Sequence, residues 1–349
     1  MIKGQLTYPE IAQQGEAIVA AWEQLQKQQD WVEKYIGNGA YDEVVFIGSG
    51  SSYYQAQIMA TAFRYWLGRP ASAFPSSEIF LFRDQSAATG RKKLLVGVSR
   101  SGESTEVILA LDSVKGLEEW DTCGITCYEE SGMAQRTECL VSPYGKEKST
   151  VMTKSFVSMT FMMQAAIALA AGDRYAGEMK AVMEQSGASI TQADDFAKQL
   201  LDNNHFNKTV YLGMGSYFGI AQEACLKLKE MSYTWTESYG TLEFRHGPKS
   251  IIEPGSLVVL LLSETARSYE LKVAEEMKAY GAYVLVLTAR KGEDTAFADA
   301  VFEIGGAEIS DEARAVMYLP LLQYVGFWTA VNRGVDPDEP RNLTQVVKI

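Results

Sequence analysis

The sequence predicts an α/β protein made of two copies of one domain, each built on a parallel sheet. The segment that begins at Gly48 returns at Gly213, 165 positions later, and the segment at Ser99 returns at Ser263, 164 positions later. In both halves, apolar runs typical of strands alternate with helical patterns. The apolar runs show no polar alternation, which is typical of strands covered on both faces. Self-similarity at this period indicates tandem domains.

We divide the 349 residues into four segments: a helical lead-in (1–40), a first α/β domain (41–190), a second α/β domain (200–335) and a tail (336–349). The lead-in is predicted as helix over 7–36, because Thr7 and Glu10 have the spacing of a capping box. Residues 173–207 are predicted as a helical linker. The tail is polar, contains two prolines and is expected to be extended.

The apolar and amphipathic runs give the elements of each domain. Predicted strands cover 44–47, 71–75, 94–98, 123–127, 210–212, 258–262, 284–287 and 302–304. Predicted helices cover 53–67, 105–111, 155–171, 220–231, 269–280 and 314–331.

Composition disfavours several classes of protein. A net charge of −12 argues against nucleic-acid binding, which needs a basic face. No run resembles a membrane span, and the first residues lack the apolar core of a signal peptide, so we expect a cytoplasmic protein. The four cysteines form no metal pattern and there are two histidines, so no metal is expected. The sequence shows no need for a nucleotide either, and no cofactor is expected.

Two hydroxyl-rich segments follow predicted strands of the first domain. One is Ser99-Arg100-Ser101-Gly102-Glu103-Ser104, and the other contains Ser51 and Ser52. Hydroxyl and N–H groups between a strand and a helix are typical of phosphate sites in α/β proteins. Serine-rich turns and caps are the alternative for either loop alone, but two such loops in one domain favour a phosphate site.

A third segment places Glu223, Lys227 and Glu230 on one face of a predicted helix, because they are spaced by four and three residues. A solvated Glu–Lys face is the alternative, and spacing alone does not identify Glu230 as catalytic.

Two further segments carry candidate residues. Glu243–Lys249 is a loop broken by Gly247-Pro248 that holds His246, a candidate for proton exchange with a sugar hydroxyl or a simple surface residue. Lys148–Ser155 is rich in hydroxyls and lysine and precedes a long helix, which fits either an anion site or plain N-capping.

Together these segments resemble the tandem SIS (sugar isomerase) family, and most of all the isomerase half of the glucosamine-6-phosphate synthases. The resemblance runs from about residue 40 to the end and includes the tail motif Asp338–Leu343. It implies two flavodoxin-like α/β/α domains and a homodimer.

The resemblance also implies roles for individual residues. Sugar phosphate would be bound by Ser51, Ser52, Ser99, Ser101 and Ser104, with Arg100 and Thr153 near the sugar. Glu230 would move a proton between C1 and C2, supported by Glu223 and Lys227. His246 would open the sugar ring from the neighbouring subunit.

Two departures from the family pattern affect the expected reaction. No glutamine-hydrolysing segment precedes residue 40, so we expect no ammonia supply from glutamine. The tail lysine that forms a Schiff base in the synthases falls at Gln345, and Lys348 lies three residues later. The sequence therefore predicts an isomerase, deaminase or deglycase that acts on an amino-sugar 6-phosphate or a 6-phosphorylated Amadori compound. The alternative is a sugar-phosphate sensor without catalysis.

Overall fold

The computed structural model describes residues 3–347 and 349, and they form two compact units. We call Gln13–Glu184 with Asn342–Ile349 the N-terminal unit. Gln185–Arg341 together with residues 3–12 is the C-terminal unit. The chain start therefore packs with the second half of the sequence, and the chain end packs with the first half.

The N-terminal unit contains a five-stranded parallel sheet in the order β2-β1-β3-β4-β5. The strands are β1 (Glu43–Gly48), β2 (Ala71–Pro75), β3 (Lys93–Val98), β4 (Trp120–Thr126) and β5 (Cys139–Val141). All six residues of β3 are buried, as expected of a central strand with helices on both faces. The strand residues Val45, Ile47 and Leu95 belong to an apolar cluster on one face of the sheet.

Helices surround this sheet. Those of the N-terminal unit are α2 (Gln14–Leu25), α3 (Gln29–Val32), α4 (Ser51–Leu67), α5 (Ser76–Ser86), α6 (Thr105–Ser113), α7 (Lys154–Ala171) and α8 (Asp173–Gln185), the last residue of which falls in the other unit. A π-helical turn, Glu33–Gly37, follows α3.

The C-terminal unit repeats the architecture, with the strand order β10-β9-β8-β6-β7. Its strands are β6 (Lys208–Leu212), β7 (Thr236–Tyr239), β8 (Ser256–Leu261), β9 (Tyr283–Thr288) and β10 (Ala300–Glu303), all parallel. Its helices are α1 (Thr7–Ala12), α9 (Ile190–Asn203), α10 (Ser216–Ser232), α11 (Arg267–Ala279), α12 (Asp311–Arg314) and α13 (Leu319–Asn332). The predicted tandem of α/β domains with parallel sheets is confirmed.

The continuous helix predicted over 7–36 is wrong. Non-helical backbone at Gln13 and Gln28 divides it into α1, α2 and α3. Thr7 is the first residue of α1 rather than its cap, and it donates its N–H and hydroxyl to Asp338 at 2.8 and 2.6 Å. Gln28 donates to and accepts from the backbone of Val141, so its side chain covers the edge strand β5.

The remaining differences are at weakly patterned segments. α5, β5 and β7 were not predicted from the sequence. β5 has only three residues, and β7 is a polar, half-buried edge strand. The helix predicted over 314–331 is interrupted by a 3₁₀ segment, Ala315–Tyr318, and α13 begins afresh with Pro320 in its first turn. Residues 336–347 form turns and bends rather than a simple extended tail.

One helix of the described chain, α7, is long and apolar enough to cross a membrane by length and composition. In the fold, 83% of it is buried, and it packs against α2 and α4. It is therefore the core helix of the N-terminal unit.

Candidate functional site

The sheet order of the N-terminal unit places β1 beside β3 in parallel, with Ile47 opposite Gly97. The segments that follow these strands, 49–52 and 99–104, therefore leave the same edge of the sheet side by side. In a sheet of this order the chain reverses its winding direction between these two strands, and ligands bind in the crevice at that point. The two hydroxyl-rich loops of the sequence thus meet where the topology favours a ligand.

The first loop turns sharply into α4. Gly50 has φ +57° and ψ −129°, a conformation that favours glycine, and a Cβ on Gly48 would lie 2.3 Å from the backbone of Ser52. Ser51 and Ser52 begin α4, with 6% of each residue exposed. Among residues 3–347 and 349, neither hydroxyl has a hydrogen-bond partner. Both remain available to a ligand at a helix N-terminus.

The second loop is closed by its own serines. The Ser99 hydroxyl accepts from the Gly102 N–H at 3.0 Å and lies 3.2 Å from the Ser104 hydroxyl. Ser101 accepts from the Glu103 N–H at 3.1 Å. Gly102 has φ +66°, and a Cβ there would lie 2.1 Å from the hydroxyl of Ser131. The loop is a compact turn that delivers Ser104 as the N-cap of α6.

Arg100 and Thr153 are brought together by a residue that the sequence did not single out. The Glu147 carboxylate accepts from Arg100 Nη1 at 3.1 Å and from the Thr153 N–H and hydroxyl at 2.7 and 2.8 Å. It also accepts from the N–H and hydroxyl of Ser155. The donors at the start of α7 are therefore used by an internal carboxylate, which also suits the positive end of that helix. The anion site considered for Lys148–Ser155 is filled by the protein itself.

The predicted helix face of α10 is present. Lys227 is fully buried, lies 3.4 Å from a Glu223 carboxylate oxygen and donates to Glu230. Glu223 is also fully buried, whereas 18% of the Glu230 side chain is exposed. A solvated Glu–Lys face is therefore wrong. Lys227 is paired with both carboxylates, and Glu230 is the member of the group that solvent reaches.

His246 lies in a separate, exposed loop between two 3₁₀ turns, Glu243–Arg245 and Pro248–Ile251. Phe244, fully buried, anchors this loop in the core of the C-terminal unit. Within the described chain the His246 imidazole makes no hydrogen bond. The structure does not join it to the Glu223–Lys227–Glu230 group.

Gln345, which stands at the position of the synthases' tail lysine, is bound within the N-terminal unit. Gln345 donates its amide to the carbonyl oxygens of Lys148 and Ser149, both at 2.9 Å. The backbone carbonyl oxygen of Gln345 accepts from Arg100 Nη2 at 3.4 Å. Tail and loop residues line a cavity of about 330 Å³ that includes Arg100, Ser101 and Gln345. Lys348, the alternative tail lysine, lies outside the described residues.

The loop of the C-terminal unit that corresponds to 99–104 follows β8, and its donors bind carboxylates that lie outside the loop. Glu270 accepts from the N–H and hydroxyl of Ser263 at 2.9 and 2.6 Å and from the Thr241 hydroxyl at 2.8 Å. Asp311 accepts from the N–H groups of Glu264 and Thr265. Burial is the main cause that raises the pKa of Glu270, against the lowering effect of these hydrogen bonds.

Sequence reasoning missed Glu147, Glu270 and Asp311. The available signal was a carboxylate near each hydroxyl-rich segment, but sequence does not show whether such a side chain turns inward. Within the part of the chain that the structure describes, no group of three or more His, Cys, Asp or Glu side chains is placed to hold a metal.

Two sheets in flavodoxin-like order, each with a glycine turn before its first helix, define a tandem α/β/α protein. The SIS domain profile matches residues 41–169 and 204–333, and the chain belongs to the SIS domain family. By their names, its homologues include an isomerizing aminotransferase and a deaminase of sugar phosphates.

Three relatives illustrate the similarity. Glutamine–fructose-6-phosphate aminotransferase (isomerizing) of Brucella abortus is 29% identical over 326 residues, which cover 88% of this chain and 52% of that protein. The chain thus spans about half the length of the curated relatives it matches. The structure of glucosamine-6-phosphate deaminase from Thermotoga maritima is 29% identical, with a TM-score of 0.71 over 94% of this chain and 99% of the other. Tagatose-6-phosphate ketose/aldose isomerase of Escherichia coli, 23% identical, shares the fold with a TM-score of 0.87 over 96% and 95% of the two chains.

Proposed function

We propose that the protein is an enzyme that acts on an amino-sugar 6-phosphate or a 6-phosphorylated Amadori compound, with Glu230 as the base that moves a proton between C1 and C2. The observation that carries the proposal is Lys227, which is fully buried between Glu223 and Glu230. Burial of a lysine with two carboxylates is costly and serves no purpose in phosphate binding alone. A sensor needs the hydroxyl loops but not this group.

The phosphate anchor is assigned to Ser51, Ser52, Ser99, Ser101 and Ser104. Support comes from their place at the switch point of the sheet and from the N-termini of α4 and α6, which favour an anion. Anchoring the phosphate orients the sugar without taking part in the chemistry.

The proposed chemistry is a proton shift followed by hydrolysis. For a 2-amino aldose, Glu230 removes the proton from C2 and returns it at C1, which leaves an imine at C2. Water adds to that carbon, and ammonia leaves with the electron pair of the C–N bond. For an Amadori compound the proton moves from C1 to C2, and the imine at C1 is hydrolysed to an aldose and a free amine. A base in this position contributes roughly 10²- to 10⁴-fold.

The presence of Gln345 favours the proposal that the substrate already contains a C–N bond. It stands where the synthases have a Schiff-base lysine, and its amide is already bound to two backbone carbonyl oxygens. An amide is not a nucleophile towards a sugar carbonyl, so no imine is expected to form at this position.

The test is release of ammonia or free amine from a panel of amino-sugar 6-phosphates and phosphorylated Amadori compounds. Glu230→Gln should lower turnover by at least about 100-fold and leave substrate binding intact, because the amide cannot accept the proton. Glu275→Gln is the matched control, since Glu275 is an exposed carboxylate on α11. Activity above a tenth of wild type in Glu230→Gln contradicts the base assignment. Binding without turnover across the whole panel supports the sensor instead.

One experiment tests both the catalytic role of His246 and its action across a dimer interface. The exposed imidazole supports action on a sugar held by a neighbouring copy of the chain. Glu230→Gln and His246→Gln should each be inactive alone, whereas co-expression should restore activity, because a mixed dimer contains one site with both native residues. No recovery in verified mixed dimers contradicts catalysis across an interface.

A further inference from the structure

We propose that Glu147 is a positioning residue for the phosphate-binding loop, acting through Arg100. The inference rests on the proposed function, since it concerns how the loop 99–104 is held for a sugar phosphate.

The Glu147 side chain is fully enclosed and saturated with donors. None of it is exposed, and its two oxygens accept from Arg100 and from the backbone and hydroxyl groups of Thr153 and Ser155. A buried carboxylate is stable only when it is paired in this way. Its geometry is therefore fixed by its surroundings.

Arg100 carries this fixed geometry into the phosphate loop. Its carbonyl oxygen accepts from the Cys127 N–H and the Thr126 hydroxyl at 3.0 and 3.1 Å. Its guanidinium is held by Glu147 and by the carbonyl oxygen of Thr150 at 3.0 Å. Since Arg100 is tied at both ends, its neighbours Ser99 and Ser101 have little freedom to change position.

Charge balance separates this role from direct attraction of the phosphate. The Arg100–Glu147 pair is buried, with 9% and 0% of the two side chains exposed, and it carries no net charge. Affinity for a phosphate must then come from hydroxyl and N–H groups, which depend on close alignment. A displacement of about 1 Å in such a site costs up to 100-fold.

The test measures the dissociation constant of glucosamine 6-phosphate by calorimetry at 25 °C for the wild type, Glu147→Gln, Arg100→Gln and the double variant. Glu147→Gln keeps the shape of the side chain but presents an amide to Arg100, and it should weaken binding at least about tenfold. In the double variant the effect of Glu147→Gln should disappear, because the residue acts through Arg100. If Glu147→Gln does not fold, Arg100→Gln replaces it in the test. Arg100→Gln should fold, because Glu147 keeps its donors from Thr153 and Ser155. It should bind glucosamine 6-phosphate at least about tenfold more weakly than wild type.

Glu270→Gln is the matched control, because Glu270 is also a buried carboxylate that accepts from a loop serine. It should lower the melting temperature and leave the dissociation constant within about twofold of wild type. Equal weakening in Glu270→Gln would show that the loss is a general consequence of lower stability, and would overturn the inference.

The remaining outcomes are also decisive. Unchanged binding in a folded Glu147→Gln overturns the positioning role. Tighter binding overturns it too, because the change in charge then dominates. If Glu147→Gln does not fold, the same two results in Arg100→Gln overturn it. Multiplicative losses in the double variant show that the two residues act independently and overturn it as well. A wild type that binds none of glucosamine 6-phosphate, fructose 6-phosphate and a 6-phosphorylated Amadori compound overturns the phosphate site itself, and so contradicts the proposed function as well.

Discussion

The two halves of the chain share a glycine turn but close the loops after β3 and β8 differently. Gly50 and Gly215 have nearly identical backbone angles, with φ of +57° and +56° and ψ of −129° and −130°. After β8, the donors of the switch-point loop are taken by Glu270 and Asp311. After β1, the Ser51 and Ser52 hydroxyls have no partner among the described residues, and the buried hydroxyl of Ser216, which follows Gly215 in the second copy, has none either. The copies differ instead in the loop after β3, which is closed by hydrogen bonds to its own serines.

The comparison shows that a repeated fold does not repeat a site. An internal carboxylate offers the loop the same negative charge and acceptor oxygens as a phosphate, at no cost in binding entropy. The second copy therefore gains stability and loses an open site. In the first copy, no carboxylate among the described residues accepts from the serine hydroxyls of the loop after β3, which bond within the loop instead.

The largest expected effect comes from placing a carboxylate in the loop after β3, as the loop after β8 already has. Ser104→Asp should weaken binding of a sugar phosphate at least about 100-fold, because two negative charges a few ångströms apart repel by several kcal/mol. Aspartate is a good N-cap, so the fold should hold. Ser268→Asp, near the start of α11, is the control and should bind normally; equal loss in both would contradict the comparison.

The next effect is on stability rather than on binding. Glu270→Ala leaves two Ser263 donors and the Thr241 hydroxyl without their acceptor, which should lower the free energy of unfolding by about 2–4 kcal/mol. Ser51→Ala and Ser52→Ala remove hydroxyls without partners and should cost less than about 0.5 kcal/mol. Urea denaturation measures all three. A larger loss in the serine variants would show that their hydroxyls are bonded within the protein.

The shared glycine turns provide a matched pair. Gly50→Ala and Gly215→Ala force a side chain into the same positive-φ conformation, and each should destabilise its domain by about 1–2 kcal/mol. Only Gly50→Ala should also weaken sugar-phosphate binding, since Gly50 precedes Ser51. Thermal denaturation and calorimetry separate the two effects, and a binding loss in Gly215→Ala would argue for a second ligand site.

The smallest effect is a pH dependence. Burial raises the pKa of Glu270 in the folded protein above its ordinary value of 4.5, so the folded state holds this proton more tightly than the unfolded state. The contribution of Glu270 to stability is therefore fully present below pH 4.5 and declines as pH rises through the folded pKa. The stability advantage of wild type over Glu270→Gln should shrink over that range in urea titrations at several pH values; an advantage that grows with pH would contradict this sign.

Many elements of both domains were predictable, because buried parallel strands such as β3 and β8 are continuous apolar runs. Elements decided by a few contacts were not. Thr7 follows capping rules in the sequence, yet the fold supplies the carboxylate of Asp338 as its partner, more than 300 residues away. The edge strand β5 was missed because its backbone pairing involves Gln28, which no local pattern indicates.

By itself, the sequence determined the tandem repeat, the placement of hydroxyls after two adjacent strands and the shared helix face of Glu223, Lys227 and Glu230. These follow from local periodicity, which the chain carries in its residue order. Tertiary structure alone decided which hydroxyls stay open. A carboxylate such as Glu147 or Glu270 lies inside a loop or in solvent according to the packing around it, because its burial is tolerated only where several donors converge.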